Sequence, residues 1–428
     1  MTSILLKSPS LNAPTVYQLS NGLTIVAEQM PIEAVNLSIW LDVGSAVESD
    51  QINGMAHFLE HMVFKGTENL ASGEFERLVE ERGAVTNAAT SQDYTQFYIT
   101  TAPKDFADLA PLQIDVVLNP TIPDEAFERE KLVVLEEIRR AEDNPRRRTY
   151  QRTIETAFTK LPYRRPVLGP KSVIESLTPQ QMRDFHSNWY QPQSITAAVV
   201  GNLPVEQLKE IVVEGFTKTE SNLSSIPNSF VIPEWQPEAP FTEIVRREYV
   251  DETLQQARLI MMWRVPGMMQ LSQTYPLDVL AAILGQGRSS RLVGDLRETK
   301  HLVTHISASN LTHNYQGIFQ ISANLPAENL EAAELAIAEH IRNLQKEPVT
   351  KAEISRVRTQ VANRFIFASE TPSDRAGMYG YYQSMVKDLT HALNYPARIQ
   401  AVDEEELQFT ANTFLSPEAY GVVIIKPE

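Results

Sequence analysis

Leu177-Thr-Pro-Gln-Gln-Met182, running on through Trp189 and Pro192 to Ile195-Thr-Ala-Ala-Val-Val200, is echoed by Val402-Asp-Glu-Glu-Glu-Leu407, Phe414, Pro417 and Tyr420-Gly-Val-Val-Ile-Ile425 at a constant offset of 225. Each copy reads as a helix followed by a closing strand, and the fixed offset marks an internal duplication. Residues 35–43 and 257–265, 222 apart, both read as buried strands with a Trp. Within the first half, strands at 84–90 and 95–101 follow one another with no helix between them, beside a helix at 105–118. Neighbouring strands of that kind favour an α+β class with largely antiparallel sheets. Between the copies, residues 219–240 are rich in Ser, Asn and Pro, with prolines at 227, 233, 237 and 240, and read as a linker. The expectation is two similar domains, 1–218 and 241–428, each a largely antiparallel sheet packed with helices.

Composition narrows the function. A chain of 428 residues with 43% hydrophobic content has room for two cores. Fifty-four acidic against 38 basic residues give a net charge of −16, which argues against a nucleic-acid partner. With no cysteine there are no disulfides, thiolate ligands or cysteine nucleophile. The start, Met1-Thr-Ser-Ile-Leu-Leu-Lys-Ser-Pro, lacks a basic region followed by a long apolar one, and no apolar run approaches the ~20 residues of a membrane span. No membrane span and a cytoplasmic location are expected.

The chemistry is concentrated in His57-Phe58-Leu59-Glu60-His61. At about 100° per residue, His57 and His61 lie about 40° apart on a helix, with Glu60 on the adjoining edge. Met55, Phe58, Leu59, Met62 and Val63 wrap the other sides, so the helix is expected to be buried. A buried carboxylate beside two imidazoles is costly unless paired or metal-bound. Zinc supplies the compensation, since three protein ligands leave a fourth position for water, and Glu60, held off the metal, can move that water's proton.

A third ligand is sought in the acidic run from Thr121 to Ile138, where Pro123 suits a first helical turn. With Phe127, Val134 and Ile138 as the apolar face, Glu130 and Glu137 project within about 20° of each other beside it, and Glu136 points away. Glu137 is the expected ligand, with Glu130 supporting the site from behind. At the repeat offset of 222, His57, Glu60 and His61 fall on Val279, Ala282 and Ile283, so the second copy keeps the helix and lacks the metal site.

The run Gly54-Met-Ala-His-Phe-Leu-Glu-His-Met-Val-Phe-Lys-Gly-Thr67, then Asn87-Ala-Ala-Thr-Ser-Gln-Asp93, then Glu130 and Glu137, resembles the pitrilysin (M16) family of inverted-motif zinc peptidases. Within it the chain is most similar to the short-chain branch that includes the mitochondrial processing peptidase β subunit and bacterial relatives. The resemblance implies one zinc ion per chain on His57, His61 and Glu137, with Glu60 as base. It also implies two similar α/β sandwiches forming half of a clamshell, and a peptide substrate held as an added strand at Asn87 and Ala88. Asn87 taken alone reads equally as the start of a turn. Single-chain and homodimeric relatives supply an Arg and, seven residues later, a Tyr from a C-terminal domain, where they bind substrate and stabilise the developing oxyanion. Here Arg297 is present, but Thr304 stands in the Tyr position. The implied partner is a related subunit supplying Arg and Tyr in a heterodimer; the rival is a homodimer using Arg297 and His305. A non-catalytic assembly subunit is the alternative from another class, disfavoured because every ligand and the base are present.

Other conspicuous groups read as structural. The arginines at 139–140, 146–148 and 164–165 suggest a solvated face or ion-pair network, and Tyr379, Tyr381 and Tyr382 suggest packing. His186, His301, His305, His313 and His391 have no helical partner at ligand spacing.

Overall fold

The computed structural model of the protein describes residues 13–220 and 235–428. The chain divides into two compact units, each built on one sheet.

In the first unit the strands are β1 (Thr15–Gln18), β2 (Thr24–Gln29), β3 (Val35–Leu41), β4 (Val85–Thr90), β5 (Thr95–Thr101) and β6 (Ile195–Gly201). They lie in the order β1-β2-β6-β3-β5-β4, antiparallel except for β2 and β6. The second unit contains β7 (Val245–Val250), β8 (Ala257–Pro266), β9 (His305–Leu311), β10 (Gln316–Leu325) and β11 (Gly421–Lys426), in the order β7-β11-β8-β10-β9. Only β7 and β11 are parallel. The two orders are the same once β1 is set aside. The expected α+β class with largely antiparallel sheets is what forms.

Strand alternation explains how the first sheet buries both faces. Ile25, Ala27, Leu37, Ile39, Ala197 and Val199 point to one side and join the main core. That core is closed by helices α1 (Met55–Met62), α2 (Glu74–Glu81), α3 (Phe106–Leu118) and α4 (Asp124–Asp143), together with helices Pro179–Trp189 and Val205–Glu220. On the other face Val26, Ala198 and Val200 pack with Ala376 and Tyr379 of helix Pro372–Val386. A Cβ at Gly380 would run into the Trp40 indole, so the helix lies that close only because the residue is glycine. Buried Glu28 on β2 pairs with Arg375 and accepts from the Tyr379 hydroxyl at 2.7 Å. Tyr381 packs edge-on against Trp40, with ring centroids 6.0 Å apart.

Helix Pro372–Val386 comes from the second half of the sequence. The first unit holds the described residues up to Arg139, those from Arg165 to the end of helix Val205–Glu220, and Arg364–Leu393; the second holds Arg140–Arg164, residues 235–363 and Asn394–Glu428. Each unit thus includes a segment that a single cut at 219–240 assigns to the other. At the repeat offset of 225, α5 (Pro145–Ala157) falls on the first part of helix Pro372–Val386, so the exchanged segments are equivalents. The apolar pattern of a helix states that it will be covered and not which sheet will cover it. Most of 219–240 lies outside the described residues, and 235–240 carry neither helix nor strand.

The repeat in sequence is also a repeat in capping. Thr178 accepts from Gln181 N and closes a capping box at the start of helix Pro179–Trp189; Asp403 accepts from Glu406 N at 2.9 Å at the start of helix Glu404–Phe414. The arginine groups form ion pairs: Arg139 with Glu136, Arg148 with Asp251 and Arg165 with Asp50. Arg165 is buried rather than solvated. Among the described residues no helix is long and apolar enough to cross a membrane.

His186 is a core residue, as its lack of ligand-spaced partners suggests. Its Nε2 lies 3.0 Å from the Val117 carbonyl and its ring 4.6 Å from that of Tyr190. Burial pushes its pKa down from 6.5 to about 4. The unfolded chain therefore binds more protons in that interval, so the stabilisation is full above pH 6.5 and is lost as pH falls through about 4. Acidification from pH 7 to 4.5 is expected to cost the wild type about 2–3 kcal/mol more than His186→Gln, which keeps a donor and does not titrate. Denaturant unfolding of both proteins at the two pH values measures this, and equal losses would refute it.

Candidate metal centre

The site is built on α1, only eight residues long. A two-turn helix is not stable by propensity, so its place must be imposed from outside. Gly54, at its start, has φ +99° and no side-chain cap. The cap comes from upstream: Glu48 accepts from Gly54 N at 2.9 Å, Ala56 N at 2.7 Å and Asn53 Nδ2 at 2.8 Å. Its carboxyl is buried, and desolvation raises its pKa to about 7 despite these donors. At the other side, Phe58 stacks on Phe127 of α4 with centroids 4.6 Å apart. Met55, Phe58, Leu59, Met62 and Val63 are buried, as the periodicity indicates.

That docking brings α1 and α4 together along the edge predicted from spacing. Phe127, Val134 and Ile138 are the buried residues of α4. Beside them, Glu137 Oε2 lies 3.4 Å from His57 Nε2 and 3.7 Å from His61 Nε2. The imidazoles meet at 62° with centroids 4.8 Å apart. Two donors at zinc distance from a tetrahedral centre are separated by about 3.4 Å, so the two nitrogens and the carboxylate oxygen fit one divalent ion. Their ligand atoms all lie within 4.8 Å of one another, the one such group among the described residues. Glu136 is half-buried and paired with Arg139.

Glu60 is next to the ligands and not among them. It accepts from the Thr90 hydroxyl at 2.5 Å. Burial pushes its carboxyl above the ordinary carboxylate range, with Thr90 and His61 opposing. Glu130 lies behind His61, with Oε1 3.0 Å from Nδ1, and its Oε2 pairs with Lys65 Nζ at 2.8 Å. Burial disfavours its charge, yet Lys65 and His61 hold it below its usual pKa.

The residues expected to meet substrate lie in two places. Asn87 and Ala88 are on β4, an edge strand paired only with β5 among the described residues, and α1 packs against it. Asn87 is exposed, and its Oδ1 accepts from Ala88 N at 2.9 Å, which covers one donor of the edge. Arg297 belongs to the second unit, on the short π-helix Val293–Thr299, where its guanidinium pairs with Glu298 at 2.6 Å. Thr304 donates to Gln256 Oε1 at 2.7 Å.

Three contributors were not found by reading the sequence. Lys65, four residues after His61, carries a helical-spacing signal that places it on the same side. Thr90 lies within the 87–93 run, but its partner Glu60 is distant in sequence. Glu48 precedes the helix by a loop, and no local pattern indicates a cap reaching back over six residues. Glu48→Ala removes the acceptor of buried N–H groups and is expected to cost about 2–4 kcal/mol in denaturant unfolding. A loss below about 1 kcal/mol would mean that packing alone seats α1.

Comparison with known proteins gives the family. Residues 24–171 match the family model described as Insulinase (Peptidase family M16), and residues 176–361 match that of the Peptidase M16 inactive domain. The chain is 28% identical over 418 residues to a Helicobacter pylori protein named zinc protease PqqE, covering 96% of this chain and 92% of that one. It is 27% identical over 410 residues to an uncharacterized zinc protease of Rickettsia bellii, covering 96% and 97%. The crystal structure of a protease from Helicobacter pylori superposes with a TM-score of 0.88 at 26% identity, covering 97% of this chain and 99% of that chain.

Proposed function

The chain belongs to the peptidase M16 family, and from that premise we propose that it is a zinc-dependent endopeptidase cleaving unfolded peptides, acting as the catalytic subunit of a dimer. The observation that carries this reading is the meeting of His57, His61 and Glu137 around one point with Glu60 beside it. Zinc bound there would supply Lewis acidity and a more acidic water. Glu60 takes a proton from the attacking water as the new C–O bond forms and returns it to the leaving nitrogen as the C–N bond breaks. Its position beside the ligands, held by Thr90, suits a group that acts on the water rather than on the metal.

The substrate reading rests on β4. Its outer edge lies along the helix that carries the ligands, and a peptide pairing there would displace the Asn87 side chain from Ala88 N. Recognition through backbone hydrogen bonds selects for extended chain rather than for particular side chains.

What supports a partner is the state of Arg297 and Thr304. Arg297 is tied to Glu298, and Thr304 has a short hydroxyl directed to Gln256 in place of a phenol. A related subunit supplying Arg and Tyr would complete the oxyanion contacts.

Two measurements test the chemistry. Glu60→Gln is expected to bind zinc as tightly as the wild type while cleaving an unstructured peptide at least about 100-fold more slowly; undiminished cleavage would move the base elsewhere. Glu137→Gln is expected to weaken zinc binding in chelator competition, and unchanged affinity would remove it from the ligand set. Full peptidase activity from the purified chain alone would dispense with the partner.

A further inference from the structure

We propose that Lys65 is a positioning residue of the metal centre, holding the Glu130 carboxylate against the Nδ1 side of His61 so that Nε2 is presented to the ion. This rests on the metal-centre reading above and extends it to a residue outside the ligand set.

Each oxygen of Glu130 has one partner: Oε1 faces His61 Nδ1 at 3.0 Å and Oε2 faces Lys65 Nζ at 2.8 Å. Both partners come from one continuous stretch, because Lys65 ends the single turn Val63–Lys65 that follows α1. Two anchors on one element therefore clasp a carboxylate from another, and a carboxylate gripped at both oxygens cannot swing about its terminal bond. The grip is sheltered: Glu130 is 14% exposed and Lys65 29%. The turn itself is fixed by buried Val63 and by Phe64, whose ring lies 6.1 Å from Phe75 and 6.0 Å from Phe97.

The consequence is tautomeric. An imidazole can use Nε2 as a ligand only with its proton on Nδ1, and an ionised acceptor opposite Nδ1 selects that form. Without Lys65 the carboxylate has a single partner and can turn toward solvent, leaving His61 to exchange tautomers. The duplicate domain is consistent with a coupled role: at the offset that places Val279, Ala282 and Ile283 on His57, Glu60 and His61, Lys65 falls on Gly287. The lysine is absent where the ligands are absent.

The test uses the full chain, with zinc affinity from chelator competition and ¹⁵N shifts of labelled histidine in the metal-free protein. Lys65→Met is expected to weaken zinc binding about tenfold and to give His61 a mixture of tautomers; Lys65→Arg, which keeps a charged donor, restores both to near wild type. Lys65→Gln serves as the neutral variant should the methionine protein not fold. Wild-type affinity and an unchanged tautomer in the neutral variants, alongside weakened Glu130→Gln, would overturn the role of Lys65. A wild-type chain that binds no zinc would overturn the metal-centre reading and this role with it.

Discussion

The seating of one short helix governs this site. Eight residues of α1 carry two imidazoles and a carboxylate, one of them buried and two half-buried, and neither helix propensity nor length keeps them there. Three contacts act together: the Glu48 carboxylate on the first N–H groups, the Phe58–Phe127 stack against α4, and the apolar side chains sunk into the core beneath the sheet. Because α1 and α4 share the Phe58–Phe127 contact, the packing that stabilises the domain also sets the distance between the histidines and Glu137.

The duplicate half shows the same architecture free of that constraint. Helix Thr274–Gly285 occupies the place of α1, and Val279, Ala282 and Ile283 are buried where the first half has His57, Glu60 and His61. Burying apolar groups there is favourable with no further condition, whereas two histidines and two glutamates must be compensated by hydrogen bonds, by Lys65 and by an ion. One half therefore carries the cost of a polar centre and the other does not, with the same strand order.

A buried charge also marks where the two halves of the sequence interleave. Glu28 on β2 is paired with Arg375 and accepts from the Tyr379 hydroxyl, both from a helix more than 300 residues further along the chain. Together with the close approach that Gly380 allows to Trp40, this contact fixes helix Pro372–Val386 on the outer face of the first sheet. An apolar face alone would tolerate sliding; a buried ion pair does not, because a displaced partner leaves an uncompensated charge.

What the sequence determined by itself is everything carried by spacing. The repeat offset exposed the duplication, helical periodicity placed His57, His61 and Glu60 on one edge, and Phe127, Val134 and Ile138 correctly indicated that Glu130 and Glu137 share a side of α4. These are local properties, since 3.6-residue and 2-residue periods fix which side chains share a face. Tertiary structure alone decided which faces meet. It put Glu48 on the start of α1, Thr90 against Glu60 and Lys65 behind Glu130, and it assigned α5 and helix Pro372–Val386 to the units opposite their place in the chain. Such pairings depend on the free energy of burying and compensating particular groups in three dimensions, and no one-dimensional period encodes them.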